Sequence, residues 1–218
     1  MMGLDWEIVG MAMPLLAQGA LITLQIAALS ALIGVLVGAG LGLLSIGGWT
    51  PVRWLIMAYV DFIRGTPLLV QIFIVFYGLP FAGIRLEEFW AGVLALSLNS
   101  SAYIAEIVRG TVGGVERGQS EAARSIGFTQ GKILIYILLP QSIRPMVPAL
   151  TNELASLVKN TSLLSVISIY ELTRAGQAII ATYFTPLEIF GLLAVYYYAM
   201  ISALSFVSRQ IERRLPVW

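Results

Sequence analysis

Five ionisable residues, Asp61, Arg64, Glu106, Glu153 and Lys159, fall inside otherwise apolar runs of this chain. At bilayer depth such a side chain is expensive, so each marks either a transport path or a structural ion pair. Asp61 and Arg64 are three apart on one helical face and can pair locally. Glu106 stands three before Arg109 near the end of a run, the spacing of a helix-end ion pair. Two polar clusters accompany them: Asn152, Glu153 and Ser156 in one segment, and Asn99, Ser100 and Ser101 in another, with Gln71 within reach. Lys159, Asn160, Thr161 and Ser162 interrupt the same run as Asn152 and Glu153, either as a gate or substrate-carboxylate contact or with Lys159 snorkelling to the surface or pairing with an acid. The chain has neither Cys nor His, which removes disulfides, Cys or His metal sites, a thiol nucleophile and an imidazole base. No metal is expected. An intramembrane enzyme would depend on paired carboxylates or on Ser162 with Lys159. Gly127 to Lys132, GFTQGK, has three residues between its glycines and Ile133 after the lysine, so it is no phosphate loop.

The elements that position these residues are membrane spans. Hydrophobic residues make up 58% of 218 and charged residues 11%, against roughly 25% charged in an average soluble domain. Mean hydropathy is +0.87. A net charge of +1 with scattered basic residues argues against a nucleic-acid partner. Asp5 and Glu7 stand where a secretory signal carries Lys or Arg, so the first span is expected to be retained. Apolar runs predict five spans, at about 15–45, 54–77, 89–108, 146–169 and 187–208, the second interrupted by Gly65 and Pro67. Broken backbone at that depth is tolerated where it packs in protein or lines a cavity. The glycines of the first run, Gly34, Gly38, Gly40 and Gly42, suit close helix packing.

GGWTP, Gly47 to Pro51, forms the first turn. Residues 109–144 hold no uncharged run long enough to span, so a loop of about 109–145 is expected outside lipid within one domain, 1–218. Putting that loop, Arg53 and the RQIERR tail on one side assigns it Arg53, Arg109, Arg117, Arg124, Lys132, Arg144, Arg209, Arg213 and Arg214. The other side keeps chiefly Arg85 and Arg174. The positive-inside rule then predicts an outer N-terminus and a cytoplasmic C-terminus. No inverted repeat is visible, and five spans do not divide into halves.

Within the loop, Ser120 is placed to cap a helix starting at Glu121, whose charge can meet Arg124 three residues on. Gly127 supplies a left-handed stop, and Thr129 starts a short apolar helix that Pro140 ends. One exposed and one buried helix make a docking element. Glu121-Ala122-Ala123-Arg124-Ser125-Ile126-Gly127, followed by Leu139-Pro140-Gln141, resembles the EAA loop of ATP-binding cassette (ABC) importer permeases. RGTPLLVQ (64–71), AYIAEIVRG (102–110), ERGQSEAA (116–123) and KNTSLLSVIS (159–168) look like the polar amino-acid subfamily, so the resemblance covers about 61–168.

The resemblance implies the type I permease fold, all-α with a coupling helix between spans three and four, in a prokaryotic inner membrane. It implies a dimer, homo- or hetero-, with two ATPase subunits that hold ATP and Mg, and an extracytoplasmic solute-binding protein. This chain then carries no cofactor and is not itself an enzyme. Glu121, Ala122, Ala123, Arg124 and Gly127 match the coupling loop. An α-amino acid needs acceptors for its ammonium and donors for its carboxylate, which Asn, Ser and broken-helix amides supply. A cationic side chain needs carboxylates as well. Asp61, Gln71, Asn99, Ser101, Asn152, Glu153 and Ser156 are therefore the expected path residues, with a basic or amide amino acid as cargo. Arg64, Glu106, Arg109 and Lys159 are expected as gate or ion-pair residues. The alternative is an ion-coupled secondary transporter or channel in which Asp61, Glu106 and Glu153 relay protons or ions.

Overall fold

A computed structural model describes residues 6–47 and 49–215. Asp5, on which the expected retention of the first span partly rests, and Gly48 of the GGWTP turn lie outside the described residues. Among the described residues eight helical stretches follow one another: α1 Trp6–Gly47, α2 Thr50–Gly65, α3 Leu68–Phe81, α4 Glu88–Gly113, α5 Arg117–Ser125, α6 Gln130–Ile167, α7 Leu172–Tyr183 and α8 Pro186–Arg214. Four of them, α1, α4, α6 and α8, are long and apolar enough to cross a membrane. The α2–α3 pair makes a fifth, broken span, bent by 108°. Gly65 and Pro67 cause the break, because proline removes a donor and drives the residue before it, Thr66, to extended geometry (φ −117°, ψ 147°).

The scaffold is α1 laid along α4. Gly34, Gly38 and Gly42 let the two backbones touch: a Cβ at Gly38 would stand 2.6 Å from the Ser101 carbonyl oxygen, and one at Gly42 would stand 2.7 Å from Val108 Cβ. Gly40 has open space on that side and takes no part. Around this pair, Ile26, Leu96 and Leu164 bury against each other from α1, α4 and the end of α6. Leu16, Leu172 and Ile189 join α1 to α7 and α8.

Three local expectations are corrected. The first loop helix begins at Arg117, so Ser120 lies inside it and donates to the Arg117 carbonyl instead of capping. Arg124 donates to Gln130 Oε1 (3.0 Å) and not to Glu121. Pro140 does not end the second loop helix, which runs on as α6 into the fourth span. The physical reason is a π-helical turn, Leu134–Leu138, immediately before Leu139-Pro140. A proline lacks the N–H for an i−4 bond and its ring crowds that carbonyl, and the wider turn gives the room. The same device, Ile74–Gly78, precedes Leu79-Pro80 in α3. The short helix α7 between the last two spans had no counterpart in the sequence reading.

Candidate functional site

The broken span builds the first polar constellation. Ending α2 at Gly65 frees carbonyls that must find donors. Gln71, buried in α3, supplies them. Its Nε2 donates to the Ile63 carbonyl (2.7 Å), the Thr66 carbonyl (3.1 Å) and Thr66 Oγ1 (2.9 Å), while its Oε1 accepts from Asn99 Nδ2 (2.9 Å). Beside it Ser101 Oγ meets Tyr59 Oη (2.7 Å), and that hydroxyl also reaches the Leu98 carbonyl (2.8 Å). Gln71, Asn99 and Ser101, predicted from separate segments, therefore converge on the α2–α4 contact, and Tyr59 and Thr66 join them. The two amides clasp the break.

A charged cluster lies on the same two helices. Glu106 accepts from Arg109 Nε (2.9 Å) and Nη2 (2.5 Å), as its spacing predicted. Arg64 turns to Glu106 (3.7 Å) rather than to Asp61, and its guanidinium sits 5.5 Å from the Tyr103 ring centre. The expected Asp61–Arg64 pair is thus replaced by a pair across helices. Ser45, Asp61, Arg64, Glu106 and Arg109 line a cleft of about 70 Å³. Asp61 and Arg64 are exposed on α2.

On α6, Asn152 and Lys159 are exposed and Glu153 and Ser156 half-buried. Glu153 faces Ser100, whose buried hydroxyl has no hydrogen-bond partner among the described residues. Asn152 does not join the Gln71–Asn99 clasp. Lys159 lies in the last turn of the α-helical part of α6, which ends at Asn160, tightens to a 3₁₀ turn over Thr161–Ile167 and stops at Ser168 in the left-handed region (φ 67°).

In the loop, Gly127 has φ +85°, and Phe128 N–H bonds back to the Ala123 carbonyl (3.0 Å), the closure a left-handed stop produces. Glu121, Ala122, Arg124 and Gly127 are exposed. Ala123 is buried, and α5 packs against the start of α6. Ile126, 74% exposed, stands at the tip beside Gly127.

The sequence reading missed Glu171. It is fully buried and caps α7, accepting from Thr173 N–H (2.9 Å), Arg174 N–H (2.8 Å) and Tyr197 Oη (3.1 Å), with Thr23 Oγ1 at 3.5 Å. Its only signal was its place just before the apolar spacing Leu172, Ala175, Gly176 and Ile179.

A broken span, a helix pair turned by Gly127 between spans and a membrane-length α1–α4 scaffold define an all-α permease of the type I ABC importer fold. The chain belongs to the family of binding-protein-dependent transport system inner membrane components, whose model matches residues 32–216. It is 40% identical over 218 residues to the arginine transport system permease protein ArtQ of Bacillus subtilis (strain 168), covering 98% of both chains. To the glutamine transport system permease protein GlnP of Escherichia coli (strain K12) it is 39% identical over 219 residues, covering 99% of this chain and 100% of the relative. A crystal structure of an amino acid ABC transporter with histidines superposes at TM-score 0.91 and 37% identity, over 98% of this chain and 100% of that one. The inward-facing methionine transporter MetNI matches at TM-score 0.80 and 21% identity, over 94% and 98% of the two chains, a likeness of fold. The chain is a transport subunit, and ATP hydrolysis belongs to a separate one.

Proposed function

We propose that this chain imports a polar amino acid, basic or amide, through a path shared with a second permease subunit. The observation that carries the reading is the exposure of Asp61 and Arg64 on α2 and of Asn152 and Lys159 on α6. None of these can rest against hydrocarbon, so both faces need water or a protein partner. Asp61, Glu153, Asn152 and Ser156 then offer acceptors to a cationic or amide cargo. Gln71, Asn99 and Ser101 hold the broken backbone that shapes the wall. Arg64, Glu106 and Arg109 act as an ion-pair gate, with Lys159 at the other end of the path. The relatives named for arginine and glutamine transport fit that cargo class.

The loop supplies the drive. Residues 109–145 face the cytoplasm with the C-terminus, and the N-terminus lies outside. Glu121, Ala122, Arg124 and Gly127 meet one of two ATPase subunits, and Ala123 anchors the docking helix. ATP and Mg stay on the ATPases, and an extracytoplasmic binding protein delivers the cargo. ATP binds the closed ATPase pair better than the open one, and that difference moves the spans between their two states. The test is uptake by proteoliposomes holding the assembled complex and binding protein. ATP-dependent accumulation of labelled arginine or glutamine over glutamate is the predicted result. Preference for glutamate overturns the cargo assignment.

A further inference from the structure

Where α1 ends, α2 and α5 begin and α4 stops, a cleft of about 330 Å³ opens, lined by Arg53, Arg109, Arg117, Ser45, Ser120 and Leu138 among others. Three guanidinium groups share one space with no acid in its lining. Arg109 is held by Glu106 through Nε and Nη2 and lines the cleft as well. Among the described residues neither Arg53 nor Arg117 has an acidic partner. Glu116, next to Arg117 in sequence, lines a separate cavity with Thr111, Gln141 and Pro145. The cleft therefore carries about two uncompensated positive charges.

Its level in the molecule is marked by tryptophans. Trp49 (76% exposed) and Trp54 (71%) flank Arg53 at the start of α2. Exposed tryptophan at a span end belongs to the headgroup layer, where its ring is half apolar and half wet. Ile46 and Leu138 add apolar wall beside the arginines, so the cleft is basic toward water and greasy toward the spans. Guanidinium forks match phosphate oxygens in pairs. Basic pockets between spans on the cytoplasmic side suit anionic headgroups.

We infer that Arg53, Arg109 and Arg117 form a binding site for the phosphate headgroup of an anionic phospholipid of the cytoplasmic leaflet. The site sits between the α1–α4 scaffold and the docking helix α5, so a bound lipid ties the loop to the membrane surface. The assignment rests on the orientation given under Proposed function.

The test uses the complex of this chain with its ATPase, purified in a mild detergent and offered phosphatidylglycerol or phosphatidylcholine, with bound lipid counted by native mass spectrometry. Expected is retention of phosphatidylglycerol on each permease chain in preference to phosphatidylcholine. The R53Q/R117Q double variant loses that preference, roughly twenty-five-fold if each arginine gives about fivefold. R53K/R117K keeps most of it, and R213Q, a basic residue elsewhere on the same side, changes nothing. Equal retention of the two lipids overturns the site, as does phosphatidylglycerol binding that survives the glutamine substitutions. Complete displacement by millimolar glycerol 3-phosphate overturns the lipid assignment in favour of a free phosphate. Binding to the isolated chain that the ATPase expels overturns it in favour of acidic residues on that subunit. Failure of any ATPase to co-purify strikes the importer reading instead, and the lipid count on the chain alone still decides the site.

Discussion

Glu171 shows how a single residue can organise several elements. Burying a carboxylate costs several kcal/mol, and here the compensation comes entirely from neutral donors, two of them the α7 backbone amides and one the hydroxyl of Tyr197 on α8. Replacing it with alanine strands those groups at once. Glu171→Ala is expected to destabilise the chain by about 2–4 kcal/mol, and Glu171→Gln, which keeps one acceptor oxygen, by less. Thermal unfolding of the detergent-solubilised variants checks the order, and equal losses would contradict it. Residues whose partners lie nearby in sequence were legible: Glu106 with Arg109, and Gly127 as a stop, follow from spacing alone. Glu171 was not, because its partners Thr23 and Tyr197 lie 148 and 26 positions away. The partner of Arg64 was not legible for the same reason, since Glu106 across the helices takes it in place of Asp61 on its own helix.

Among the helices, the α1–α4 pair decides the fold. Its glycines were readable as packing residues, but which of them face α4 was not, since Gly40 lies one turn-fraction away from the stripe and stays open. Gly38→Leu puts a side chain into the Ser101 carbonyl and Ile104. The two helices are forced apart, and loss of folded protein in the membrane fraction is the expected outcome. Gly40→Leu on the same helix is expected to be tolerated, and comparing the two by yield and size-exclusion profile checks the claim. The prolines explain why helix ends were harder to place. Pro140 reads as a terminator in any local rule, yet a π turn lets α6 pass through it, so the helix that carries the fourth span begins at Gln130, ahead of the apolar run that starts at about Met146.

At the scale of the whole molecule, composition and span lengths sufficed for an all-α membrane protein, and the loop motif for its family. The bend of the second span was visible only as Gly65 and Pro67. Gln71 and Asn99 clasp that 108° bend from two different spans, which no single segment reveals. In the proposed function the loop around Glu121 to Gly127 transmits the work of a separate ATPase. Gly127→Asp tests it most directly. A Cβ there meets nothing within 4 Å, and the left-handed backbone costs a non-glycine residue only about 1–2 kcal/mol, so the spans remain folded while the exposed tip gains charge. Co-purification of the ATPase with the intact chain and with this variant is the measurement. Capture by the intact chain and its loss in Gly127→Asp is the predicted result; equal capture by both would contradict the account.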